Sequence, residues 1–451
     1  MRTELAAYPP ALFNVKVLMR QPTKGELKNK LQVPIDPKSI PQADVLVVDV
    51  SALLWALEWT KNGTVNDFTQ IAKNWLRKQL AISDVYMCFD RYFEFSIMSS
   101  LRQARCDSSR IFLLTEKTQL PPKDSVLKTT QNKVRLSQII INQILTDASF
   151  LTSVTSENKL TITDFDNVPT QVSKGQYSIQ IDLSTDFEEA DNIVVHQAIA
   201  NACEENTVVV LADDTNIFVM LVYFYHQSQL VSPMYMKSLI FDRDATDIQS
   251  TCHSSRPIVN NLPAIHSLSG CDTVAATFGI GKHTAIEKAL NQNLGLIGEM
   301  DADIEDVISQ ASSFISRCYN IDEIMGSSMT ETRLKVWRRK TGKLSKSLKL
   351  CTIPPTKEAF RENTLCAHFQ THIWKCALSG KMPNVNPTFC GWERDERNAT
   401  LEPKQTIPGT PYAQNEILEL ISLRCSFSSA LPCKSGRCSC NRNQIGCTIF
   451  C

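Results

Sequence analysis

Four apolar runs along the chain each stop at an acid. Val45-Leu46-Val47-Val48 leads to Asp49, the run in DVYMCFD leads to Asp90, TVVVLADD ends in Asp213-Asp214, and LPAIHSLSGCD ends in Asp272. Continuous apolar runs of this kind suit strands of a parallel sheet covered on both faces, not the strict alternation of a half-exposed sheet. From residue 45 to about 290 they alternate with amphipathic stretches. That pattern predicts an α/β domain built on a parallel sheet with helices on both faces. Ligands of such sheets bind outside the carboxyl ends of the strands. If the strands are neighbours, their terminal acids converge on one spot.

The rest of the chain divides around this core (45–300). Residues 1–44 read as an N-terminal extension, with VPIDPKSIPQ at 33–42 as a linker. Residues 301–380 form a helical accessory region, with helical periodicity over 303–323 and 357–378. Between these lies RLKVWRRKTGKLSKSLK (333–349), with eight Lys/Arg and no acid. It reads equally as a solvated charge run and as a nucleic-acid backbone contact. Prolines and polar residues over 381–424 predict an extended linker, and 425–451 is rich in cysteine.

Composition narrows the functional classes. Hydrophobic residues make up 43% of the 451 and charged residues 21%, as in a folded globular protein. With 47 basic and 47 acidic side chains, a nucleic-acid partner can be held only by local patches. The apolar run IFVMLVYFY (217–225) is too short to cross a bilayer, so no membrane role is expected. The N-terminal residues lack a basic region followed by an apolar stretch, so the expected location is nuclear or nucleocytoplasmic rather than secreted.

One more acidic group joins the strand-end acids. FEEADNIVVHQAIANA (187–202) places Glu188, Glu189 and Asp191 at the start of an amphipathic helix. Any one of these acids has an ordinary explanation, as a turn residue or as a favourable charge at a helix start. Their recurrence points further. Strand-end acids and a helix-start cluster drawn together without cations would be electrostatically costly. Clustered oxygen ligands favour hard cations, Mg²⁺ or Mn²⁺.

The ordered series VVDVSALLW (within 45–55), CFDRYFEFSIMSSLRQAR (88–105), EEAD (188–191), ADDTNIF (212–218) and LSGCDTVAATFGIGKHTA (268–285) resembles the PIN-like 5′-nuclease superfamily of flap endonuclease and XPG type. The wider chain resembles uncharacterised, often multi-copy animal proteins carrying this core. The resemblance implies a PIN-like nuclease fold whose metal-binding acids are Asp49, Asp90, Glu189, Asp191, Asp214 and Asp272. It implies two divalent ions that activate water and stabilise the leaving oxygen of a phosphodiester. Gly279-Ile280-Gly281 and Lys282 match a helix-hairpin-helix element near 268–290, whose backbone N–H groups grip DNA phosphates; read alone, this stretch is an ordinary glycine turn. SIMSSLRQARC matches the helical gateway over the site, with Arg102 and Arg105 one turn apart, spaced to face phosphate or simply to be solvated.

The chain departs from the family in two places. Met98 stands where the family usually has lysine. Asp-x-Asp reads Asp214-Thr215-Asn216, and the Asn216 amide can ligate a hard cation without contributing charge. Asp213 lies one position off and on the wrong side to compensate.

Six of the sixteen cysteines (Cys425, Cys433, Cys438, Cys440, Cys447, Cys451) crowd the tail and resemble CXC-type clusters that share Zn²⁺, with disulfides the alternative in an exported chain. His368 and His372 sit four apart near Trp374, a core-packing pattern. The expected function is a Mg²⁺- or Mn²⁺-dependent, structure-selective nuclease acting on DNA. The alternative is a nuclease-derived nucleic-acid-binding protein with weakened catalysis.

Overall fold

The computed structural model describes residues 3–93, 96–105, 110–239, 243–321, 328–340, 349–395 and 400–406. Its centre is β2 (Val45–Asp49), five residues buried end to end. Val45 and Val47 enter one apolar core, and Leu46 and Val48 enter another on the opposite face, because successive strand side chains alternate. Burying each such side chain contributes roughly 1.5–3 kcal/mol. This explains why the run contains no polar residue before Asp49.

Nine strands form one sheet: β1 (Val33–Ile35), β2, β3 (Asp84–Cys88), β4 (Leu160–Thr163), β5 (Thr170–Ser173), β6 (Gln176–Ile179), β7 (Val208–Leu211), β8 (Met234–Lys237) and β9 (Ala245–Asp247). Their order is β1-β9-β8-β7-β2-β3-β4-β5-β6. The five central strands, from β8 to β4, are parallel, and antiparallel strands finish both edges. The chain runs outward from β2 through β3 to β4, then returns to build β7 and β8 on the other side. The order therefore reverses between β2 and β7, the place where ligands of open α/β sheets bind. The mixed α/β class, with a mostly parallel sheet between helices, is as the sequence predicts.

One face is covered by the helices Val65–Leu80 and Thr130–Leu145. The other carries Ala190–Ala200, Thr215–Gln227, Leu262–Leu268, Ile304–Cys318 and Lys357–Lys375. The helix Thr215–Gln227 holds the apolar run 217–225 and is buried almost all round, as a central core helix must be. Among the described residues, no helix is long and apolar enough to cross a membrane.

Three expectations are corrected. LPAIHSL is a helix, Leu262–Leu268, not a strand. A short buried apolar run does not distinguish the two, and Pro263, which a central strand excludes, is tolerated in a first helical turn. Residues 33–42 are not a free linker: β1 pairs with β9, and Pro37–Ser39 form a short 3₁₀ turn capped by Asp36. The described part of 381–424 is also packed. Trp392–Arg394 pairs with Leu401–Pro403, Trp392 is buried in the core, and Leu401 N–H donates to Ser100 Oγ at 2.8 Å.

His368 and His372 lie on the helix Lys357–Lys375 and hold Gly298 from both sides. Its N–H donates to His368 Nδ1 at 3.0 Å, and its carbonyl accepts from His372 Nδ1 at 2.9 Å. Of the basic segment, residues 333–340 and 349 are described. Arg333 is buried against Glu4, Arg339 donates to Tyr319 O at 2.6 Å, and Lys340 donates to Thr352 O at 3.0 Å.

Candidate active site at the carboxyl edge of the sheet

Strand register decides which acids meet. Asp49 lies opposite Cys88, and Val48 opposite Leu211, so Asp90 and Asp214 emerge just beyond β3 and β7 on the edge where β2 ends. Asp49 and Asp214 each cap the helix that follows. Asp49 Oδ1 accepts from Ser51 N at 2.8 Å, and Asp214 Oδ1 accepts from Asn216 N at 2.7 Å. Capping accounts for these bonds but not for the acids' clustering.

Asp90 is the best-held carboxylate. Its Oδ2 accepts from Ser51 Oγ at 2.6 Å, Lys133 Nζ at 3.0 Å and Tyr92 OH at 3.2 Å, and its Oδ1 accepts from Ala190 N at 3.0 Å. Burial opposes its ionisation, but the Lys133 ammonium and these donors bring its pKa down to about 2. The Ala190 bond also fixes the start of the helix Ala190–Ala200, and so places Glu189 and Asp191.

The neighbouring acids are pushed the other way. Burial, and then the Asp90 charge, raise Asp49 to about 7. Burial raises Glu189, with Asp90, Glu188 and Asp214 adding repulsion. Asp191 is raised by burial and then by Asp214 and Glu189. Asp49, Asp90, Glu189, Asp191 and Asp214 thus lie close enough to act on one another, Asp49 buried and the others half-buried, and three of them resist ionisation.

Asn216 sits inside this group. Its Nδ2 donates to Asp191 Oδ2 at 2.9 Å, and its Oδ1 faces His266 Nε2 at 3.0 Å. His266 therefore carries its proton on Nε2. Burial, with Lys282 and Lys24 nearby, keeps its pKa well below the ordinary range, and its ring stacks on Trp374. The Asn216 amide oxygen, the atom expected to ligate a cation, is engaged by His266.

Asp272 arrives from the loop after Leu262–Leu268, and its Oδ2 accepts from Lys24 Nζ. Asp213 is turned toward Arg243, 3.6 Å away. Among the described residues, no three His, Cys, Asp or Glu side chains stand at metal-ligating geometry. The oxygens of Asp90, Asp191 and Asp272 described above face Lys133, Asn216 and Lys24 instead.

The helix Ile97–Arg105 begins beside Glu188 and Glu189, with Ile97 and Met98 lining the same cavity as these two acids. Arg102 is not free to meet a phosphate: it pairs with Glu188 and lies over the Tyr92 ring. The side chain of Arg105 lies outside the described residues. A cavity of about 230 Å³ beside Glu189 is lined by Met98, Phe187, Phe369, Ile373 and Val385, among others.

Gly279 is exposed at φ +81°, a backbone conformation that a side chain would strain, and Gly281 precedes the helix Lys282–Ala289. Lys282 is the clearest correction among the DNA-contact residues, because it is fully buried. Its ammonium donates to His266 O at 2.6 Å, Ser269 Oγ at 2.9 Å and Gly270 O, and so caps the carbonyl end of Leu262–Leu268. The six tail cysteines and their expected Zn²⁺ lie outside the described residues.

Sequence reasoning missed Lys24, Lys133, Tyr92 and His266. Ser51 was readable in principle, since Asp-x-Ser at a strand end is a capping pattern. No protein-family model and no curated relative matches this sequence.

Proposed function

We propose that the chain is a Mg²⁺- or Mn²⁺-dependent nuclease of PIN-like 5′-nuclease type, cutting phosphodiester bonds in DNA at flaps, branches or single-strand junctions. One observation carries this reading: the crowding of Asp49, Glu189 and Asp191 around Asp90 and Asp214 in a largely buried cluster, three of them held back from ionisation by loss of solvent and mutual repulsion. Such a donor set, all oxygen and short of positive charge, fits a hard divalent cation. A bound ion would lower the pKa of the attacking water and neutralise charge on the phosphate.

The chain's own residues prepare for this. Lys133 and Ser51 keep Asp90 ionised and fixed, and the Asp90–Ala190 bond aims the helix start that presents Glu189 and Asp191. The exposed Gly279 turn borders a groove of about 380 Å³ that also has Arg339 and Lys340 in its wall. The groove brings positive charge beside the turn, in keeping with a helix-hairpin-helix role.

The second reading, a binding protein with decayed catalysis, draws on the wedge of Asn216 between Asp191 and His266. The test is cleavage of labelled flap, single-stranded and duplex DNA with Mg²⁺, Mn²⁺ or EDTA, beside Asp214→Ala. Metal-dependent cutting lost in the variant supports the enzyme. Tight binding to branched DNA without cutting, with either metal, supports the second reading.

A further inference from the structure

The two ends of the acidic pocket are not alike. Around Asp49 and Asp191, acids outnumber cations, and the Lys133 ammonium beside them is committed to Asp90. Toward Asp272 the balance is different. There Lys24 places its ammonium on Asp272 Oδ2, while Asn216, an amide in place of a carboxylate, bonds to Asp191. Lys24 also acts on Glu189, lowering its pKa against the repulsion of the other acids.

The arrival of Lys24 is built into the fold. It is the residue from which the helix Gly25–Leu31 starts, and that helix packs beside Thr215–Gln227 and Lys282–Ala289, which flank the pocket. Lys28, one turn on, faces the same side and feels the charges of Asp213 and Asp214. The two lysines bring positive charge to Asp213, Asp214 and Asp272. Lys24 and Asp272 are only about one-fifth exposed, so the ammonium is not simply a solvated surface charge.

We infer that Lys24 is a built-in cation occupying the Asp272 end of the pocket, so that the protein takes one divalent ion, at the Asp49–Asp191 end, and not two. The inference rests on the metal-dependent reading of the site. An ammonium held on Asp272 and a divalent ion there exclude each other by charge. In water such repulsion is weak, but in a buried pocket it is several-fold stronger. Asn216 works in the same direction, since an amide replaces a charge that a second ion would need.

The experiment counts ions instead of turnover. Metal-stripped, full-length protein is titrated with Mn²⁺, followed by calorimetry and by the electron paramagnetic resonance of free Mn²⁺. Wild type is expected to bind one Mn²⁺ per chain, Lys24→Gln two, and the charge-preserving Lys24→Arg one. The Mn²⁺-induced rise in Tm is expected to be larger for Lys24→Gln than for wild type. Two ions on wild type overturn the inference whether or not the variants fold. The same count on wild type and a folded Lys24→Gln also overturns it, and a count of one on both leaves the metal-dependent reading standing. No ion on either protein removes both.

Discussion

Asn216 stands between Asp191 and His266, donating Nδ2 to Asp191 Oδ2 at 2.9 Å and meeting His266 Nε2 at 3.0 Å. It lets a buried carboxylate and a buried neutral imidazole share one neighbour without an unpaired donor. Asn216→Asp keeps the shape but sets two carboxylates against each other. The variant should lose about 3 kcal/mol in EDTA at pH 8, the scale of an uncompensated buried charge. Mn²⁺ should recover most of it. Urea unfolding with and without Mn²⁺ checks this, and unchanged stability in EDTA would show that the wedge carries no charge burden.

Asp49 predicts a pH dependence with a definite sign. Its folded pKa lies near 7, against 3.8 for an ordinary aspartate, so the native state holds a proton that the unfolded chain has released. Stability attributable to this group therefore falls as pH rises from about 4 to about 7. Asp49→Asn keeps the capping oxygen and removes the titration. It should match wild type near pH 4 and exceed it by roughly 2–4 kcal/mol at pH 8 in EDTA. An equal gap at both pH values would contradict the assignment.

Lys133 should behave in the opposite sense through Asp90. With Lys133 present, the Asp90 pKa is depressed to about 2, and its stabilising contribution is present above the ordinary aspartate value of 3.8 and lost as pH falls through 2. Lys133→Met leaves Asp90 buried without its counter-charge, so the variant should lose about 3 kcal/mol at pH 8. The loss should shrink near pH 4, where Asp90 can take a proton. Denaturant unfolding at the two pH values measures the difference.

The strands and most of the acids were legible because burial on both faces leaves an unbroken Val/Leu signature that ends abruptly at Asp49, Asp90 or Asp214. Asp272 comes by another route, from the loop after a helix that a short apolar run could not separate from a strand. The cations were not legible. Lys133 meets Asp90 from 43 residues away and Lys24 meets Asp272 from 248 residues away, and nothing local marks either lysine. Residues 33–42 looked like a linker because proline and polar residues also suit a short edge strand.

Lys282 supplies a test that separates support of the fold from DNA contact. Burial lowers its pKa to about 7, and its ammonium serves three acceptors at the end of Leu262–Leu268. Lys282→Met should cost about 1–3 kcal/mol by stranding those acceptors. For the folded variant, the slope of log affinity against log salt on flap DNA should equal that of wild type. A slope smaller by about one would mean that Lys282 touches a phosphate.

The most direct test is Mn²⁺-supported cleavage of flap DNA by wild type and Asp49→Asn at pH 8, with folding of both followed in the same buffer. Because Asp49→Asn is expected to be at least as stable as wild type when metal-free, loss of activity in that variant cannot be put down to unfolding. The account predicts cleavage by wild type that EDTA abolishes, and a drop of at least 10²-fold in Asp49→Asn, on the scale of losing a group that stabilises the transition state. Cleavage that persists in EDTA, or that Asp49→Asn retains in full, would contradict it.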